Sequence, residues 1–150
     1  MSIPLFVPAG GGEFVAIRDT KKTYFKLTTP DSDGEFGFFE HHMAAHASGA
    51  APHVHREATE MFYVHKGEIE FTIGDRKEVG TPGAFAYVPK GEPHGFTNVG
   101  SEAAVLLIMF YPLLNREDYF RGLGKLTKDG RSPSMEELAE HMAKYDQFMV

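Results

Sequence analysis

The 150-residue chain has no cysteine and no tryptophan. Without cysteine there are no disulfides, no thiolate metal ligands and no thiol nucleophiles, which fits a reducing cytoplasm. Positive charge is also scarce: 15 Lys and Arg face 21 Asp and Glu, a formal net charge of −6. That balance argues against nucleic acid, which calls for a basic stripe. The adjacent pair Lys21-Lys22 reads as a solvated loop. Long apolar runs are missing too. The longest, Ala103 to Tyr111, is too short to cross a bilayer, and Met1 to Pro8 lacks a cationic start and is broken by Pro4 and Pro8. The expectation is a soluble, cytoplasmic protein with no membrane and no nucleic-acid partner.

What the chain does have is aromatic residues, 13 Phe and 6 Tyr, within a hydrophobic fraction of 42%. At this length one domain can bury a core of its own. From Glu13 to Tyr111, short aromatic and β-branched runs are separated by Gly, Pro and Asp. That punctuation predicts an all-β domain, with strands at 23–28, 36–44, 60–65, 68–73, 84–88, 94–98 and 105–110. Lys66-Gly67 reads as a hairpin turn with Gly at positive φ, and Gly74-Asp75-Arg76 as a second turn. The pattern suits a sandwich or a small closed barrel.

After Pro112 the pattern turns helical, which divides the single domain into 1–112 and an extension, 113–150. Asn115 is placed to cap a short helix through Phe120. Ser132-Pro133 is placed to open a longer helix, with Glu136-Glu137 in its first turn. There Met135, Leu138, Met142 and Tyr145 recur at helical spacing, so one face is apolar. That face packs on the outside of the barrel or on a second subunit; the sharper alternative is a lid over the barrel mouth.

The chemistry concentrates in two segments: His53-Val54-His55 with Glu60, and Gly83 through His94 to Asn98. Three imidazoles and one carboxylate suit a divalent first-row transition metal. On a strand, residues two apart share a face, so His53 and His55 can offer two imidazoles to one ion. Glu60 needs a bend or a neighbouring strand to join them, and His94 must arrive from elsewhere. A barrel interior is where such strands converge.

These segments resemble the two motifs of the cupin superfamily. His53-x-His55-x4-Glu60-x6-Gly67 fits the first, except that its leading glycine would fall at Ala47 where this chain has Gly49. Gly83, Pro89, Gly91, His94 and Asn98 match the second throughout, and fifteen residues separate Gly67 from Gly83. The resemblance covers roughly residues 36–111. It implies a double-stranded β-helix, a jelly-roll-like barrel, with a short C-terminal helical extension. By matching positions it implies metal ligands His53, His55, Glu60 and His94. Such sites hold iron first of all, but also manganese, nickel, cobalt, copper or zinc.

Phe62 shares parity with Glu60, and Phe96 with His94, so both should face the interior. With Tyr87 and His42 they are the candidate substrate pocket. His41 and His42, being adjacent, point to opposite faces, so at most one looks inward. His46 and His65 read as loop residues, and His141 as a helix residue.

Four protein ligands leave two open positions on an octahedral ion, and a net charge of +1 favours an enolate or phenolate there. Among single-domain cupins this resembles the quercetin-dioxygenase-like group, in which the glutamate is also a base. On that resemblance Glu60 is ligand and catalytic proton acceptor, and the substrate is a small aromatic or enolisable, flavonoid- or polyketide-like molecule. The rivals are a non-redox isomerase or cyclase on the same metal, and a binding protein without catalysis. The apolar strand Val105–Phe110 suggests a homodimer paired through sheets.

Overall fold

The computed structural model describes residues 2–150. Eleven strands and three α-helices follow in the order β1 (Phe14–Ile17), β2 (Lys21–Leu27), α1 (Thr29–Ser32), β3 (Gly37–Met43), β4 (His53–Val54), β5 (Thr59–Lys66), β6 (Ile69–Ile73), β7 (Arg76–Gly80), β8 (Phe85–Val88), β9 (His94–Asn98), β10 (Ala104–Tyr111), α2 (Arg116–Leu126), α3 (Met135–Ala143) and β11 (Phe148–Met149). They form two antiparallel sheets, ordered β1-β2-β3-β10-β5-β8 and β11-β4-β9-β6-β7. Strands β2, β3 and β5 of the larger sheet alternate between core and solvent, as in a sheet with one wet face.

Strand β3 shows the alternation along its whole length: Gly37, Phe39, His41 and Met43 are buried, while Phe38, Glu40 and His42 between them are not. In β5 the inward set is Glu60, Phe62 and Val64; in β9 it is His94, Phe96 and Asn98. Strand β10 lies centrally between β3 and β5 and sends Leu106, Ile108 and Phe110 inward. The core therefore collects Phe25, Phe39, Phe62, Phe71, Phe96, Phe110 and their aliphatic neighbours between the sheets.

Several sequence expectations are corrected. The Lys66-Gly67 turn is not a hairpin: β5 pairs with β10 and β8, whereas β6 pairs with β7 and β9, so Gly67 turns the chain from one sheet into the other. Its φ of 85° and the Ala104 backbone against it, 2.8 Å from where a Cβ would stand, leave room only for glycine. The short strands β1, β4, β7 and β11 lie outside the predicted set. Helix α2 runs six residues past Phe120 to Leu126, and Asn115 sits at its start in a left-handed conformation without a side-chain cap. The cap of α3 is Ser134, two residues beyond Ser132. Glu137 stands three residues on from Ser134, and the two close a reciprocal capping box.

The extension packs against the barrel. Gly122 of α2 lies against the His141 ring of α3, and Gly124 against Val15 of β1. The His141 Nε2–H donates to the Tyr119 carbonyl at 2.8 Å, tying the two helices together. Leu138 and Met142 of the predicted stripe face inward, while Met135 is exposed. The last strand, β11, pairs with β4 beside His53.

Candidate metal centre

The inward faces of β4, β5 and β9, with the residue that follows β4, bring His53, His55, Glu60 and His94 together, and all four are buried. Strand pairing sets His53 directly opposite His94. Their four ligand atoms lie within 4.8 Å of one another. Glu60 Oε1 lies at the focus, 2.7 Å from His94 Nε2, 3.1 Å from His55 Nε2 and 3.9 Å from His53 Nε2.

The other ring nitrogens decide what this cluster accepts. Each Nδ1–H donates to a backbone carbonyl: His53 to Ala51 at 2.7 Å, His94 to Glu92 at 2.9 Å and His55 to Asp146 at 2.6 Å. A carbonyl cannot donate, so the proton of each neutral imidazole sits on Nδ1 and its lone pair on Nε2. Three lone pairs then converge on a carboxylate in a buried space, an arrangement that could hold a cation between them. The donor set fits a divalent transition metal, and the carbonyls are the outer partners that fix such ligands.

Without an ion, protons take its place. Burial opposes ionisation of Glu60, but contacts from His53, His55 and His94 outweigh it and hold the carboxyl well below its usual range. Burial likewise opposes charge on His94, yet Glu60 and the Glu92 carbonyl raise its pKa above the ordinary value. For His53 burial wins, and its pKa is lowered.

The cluster opens onto a cavity of about 410 Å³ lined by His41, His53, Glu60, Phe96, Arg116 and Tyr119, among others, and roofed by side chains of α2 and α3. All the imidazole contacts to Glu60 go to Oε1, and among the described residues nothing hydrogen-bonds Oε2. Of the adjacent pair, His41 is the one that looks inward. Its Nδ1 lies 2.8 Å from Thr23 Oγ1, and burial, with Lys21 and His42 nearby, pushes its pKa down to about 3.

The four candidate pocket residues separate. Phe96 lines the cavity. Phe62 does not: it packs behind the ligands, with its ring 6.1 Å from that of His94 and 5.4 Å from that of Phe71. Tyr87, opposite Met61 on the outer face of its sheet, is 58% exposed. His42 also points outward, 2.7 Å from Glu40 Oε1 and edge-on to Tyr24. Tyr87 and His42 are thus on the far side of the sheet from the cavity, because strand parity places them there.

Sequence reasoning missed Arg116, Tyr119, Asp146 and Gln147. The Asp146 carbonyl orients His55, and its carboxylate accepts from the backbone N–H groups of Arg56, Glu57 and Ala58. No spacing rule announces a contact across ninety residues. A weak signal did exist for Arg116, since a cation at the start of a helix opposes the macrodipole and needs another reason to be there.

Residues 39–110 match the family model for the cupin domain. The fold is a cupin fold. The chain is 37% identical over 70 residues to an uncharacterized protein of Aquifex aeolicus, a match covering 47% of this chain and 57% of that relative. A predicted oxalate decarboxylase from Thermotoga maritima superposes with TM-score 0.67 at 17% identity, covering 73% of this chain and 100% of the other. A polyketide cyclase from Streptomyces resistomycificus superposes with TM-score 0.60 at 19% identity, covering 79% and 94%. At these identities the structural likeness is one of fold. Among the described residues no helix is long and apolar enough to cross a membrane.

Proposed function

We propose that this cupin is a metal-dependent enzyme acting on a small aromatic or enolisable molecule, and that its chemistry is a dioxygenase-like oxidation. One observation carries the reading: a four-ligand cluster sits at the wall of a roofed, largely apolar cavity large enough for a small substrate. A divalent ion held by these residues (iron first; manganese, nickel, cobalt, copper or zinc by the same ligands) would stabilise an anionic oxygen and, where redox-active, would relay electrons from the substrate, which is the group oxidised, to dioxygen. The residues do the rest. Phe96, Ile108, Phe110 and Phe120 line the cavity and exclude water, which strengthens every charge interaction within it. Glu60 presents an unpartnered Oε2 beside the substrate space, where it can accept a proton from an enol or phenol.

The second reading, cyclisation or isomerisation without oxygen, is favoured by the acid–base groups facing the same cavity: Glu60, a neutral His41 and Tyr119. Oxygen uptake by the iron-loaded protein with phenolic and enolisable compounds separates the two. Uptake coupled to product supports oxidation; turnover under nitrogen supports the second; binding without turnover leaves a binding protein. Glu60→Gln is expected to lower kcat far more than metal content, and equal losses would reduce Glu60 to a ligand. We further propose a homodimer through the outer face of the larger sheet, where Tyr63, Phe85 and Tyr87 are exposed. A monomer mass in light scattering would refute it.

A further inference from the structure

Arg116 is 1% exposed, yet among the described residues no carboxylate lies within 4.0 Å of its guanidinium. Its partners are neutral. Nη1 donates to Gln147 Oε1 at 2.9 Å, Nη2 donates to the Tyr145 carbonyl, and Nε has no partner. Nη2 also approaches His55 Nδ1 at 3.4 Å, but that nitrogen already gives its proton to Asp146, so two donors face each other. The guanidinium is flanked by two rings, with centroids of Phe110 at 4.6 Å and Tyr119 at 4.8 Å. Burial lowers its pKa, and Glu60 and Asp146 offset that only from beyond contact distance. A buried guanidinium that no carboxylate touches is costly, and an incoming anion would relieve that cost.

The surroundings point the same way. Arg116 lines the same cavity as His53 and Glu60, and so do Arg18 and Lys21. Among the described residues Glu60 is the only carboxylate lining it. Once Glu60 is committed to a divalent ion, the cavity holds positive charge alone.

We propose that the substrate carries a carboxylate and that Arg116 receives it, with the aromatic or enolisable part of the molecule lying toward the ligand cluster. A planar guanidinium with unused N–H groups recognises a carboxylate through paired, charge-assisted hydrogen bonds. Phe110 and Tyr119 hold the plane of the fork before substrate enters. This deepens the function proposed above by naming its substrate class, and it rests on that reading for the role of the ligand cluster.

The test is calorimetric titration of metal-free and zinc-loaded protein with benzoate and with its neutral isostere benzamide. The expected result is that benzoate binds at least about tenfold more tightly than benzamide to both forms. In Arg116→Gln that preference should vanish while zinc stoichiometry is unchanged. If Arg116→Gln does not fold, Arg116→Lys should keep a weakened preference; a preference left unchanged in either variant overturns the proposal, since Arg18 or Lys21 would then hold the carboxylate. Equal binding of the two probes overturns the proposal. So does a benzoate preference that appears only with zinc and survives in Arg116→Gln, since the carboxylate would then sit on the metal. Preference for benzoate in a protein that takes up no zinc would uphold the Arg116 site and defeat the metal reading instead.

Discussion

Two ends of the space between the sheets are built by the same alternation and do opposite things. At one end Phe62, Val64, Ile69, Phe71 and Val88 close on one another with almost no exposure. At the other, His41, Glu60 and Arg116 face a cavity. In β5 the boundary falls between Glu60 and Phe62, consecutive inward positions about 7 Å apart. Sheet geometry decides that a side chain points inward; only its chemistry decides whether it seals the core or holds a ligand. The lesson is that stability and chemistry are segregated along single strands, so substitutions one pleat apart should separate them.

Two substitutions test that segregation most strongly. Phe62→Ala removes a buried ring from the dry end and should cost about 3–5 kcal/mol of stability, read from denaturant or thermal unfolding. The folded fraction should still take up its full complement of metal. His94→Ala should do the reverse, leaving an ordered fold while weakening metal binding by more than the roughly 10–100-fold that loss of a supporting partner costs. Elemental analysis after dialysis reads that loss. If folded Phe62→Ala loses its metal, or His94→Ala keeps it, the two ends are not separable.

The dry end was largely legible in the sequence and the cavity end only in part, for a physical reason. Strands β3, β5, β9 and β10 were found to within one residue or so at each end, because alternation and turn residues are local signals. The ligand set likewise declared itself through motif spacing, and the structure brings all four groups together. The rest of the cavity depends on contacts distant in sequence. Arg116, Tyr119 and Gln147 come from the C-terminal extension, whose helical pattern could be read but whose docking could not. Parity separates the two faces of a strand but does not by itself say which one is inward: Tyr87 and His42 lie near the motifs, yet both point outward. Asp146 gave no signal, since a left-handed residue that caps a loop ninety positions away looks like any surface aspartate.

Asp146 therefore offers an intermediate test, a residue outside both ends that holds one of them in place. Asp146→Ala removes the acceptor for three backbone N–H groups, a capping loss of about 0.5–2 kcal/mol. The carbonyl that orients His55 remains but loses its anchor. Metal affinity should fall by roughly 10-fold, the low end of what outer partners cost, with stoichiometry retained at saturating metal. An unchanged affinity would show that His55 is oriented without the tail.

The smallest expected effect is in pH. In the metal-free protein the pKa of His94 is raised above 6.5, because Glu60 and the Glu92 carbonyl favour the imidazolium more than burial opposes it. A raised folded pKa contributes stability that is fully present below the unfolded value and is lost as pH rises through the folded one. Metal binding runs against that proton, because the ion needs the Nε2 lone pair, so its affinity rises over the same interval. The two slopes are one linkage seen from either side, and the rise in affinity is what sets the gap between loaded and metal-free protein. The difference in Tm between metal-loaded and metal-free protein should therefore widen as pH rises above the ordinary imidazole value. Burial lowers the pKa of His53, so its proton competes less with the ion than that of His94. A gap that stays constant with pH would mean that no proton stands in for the ion at Glu60. The lone pairs at the open end would then be held apart by the fold itself, as the rings at the dry end are.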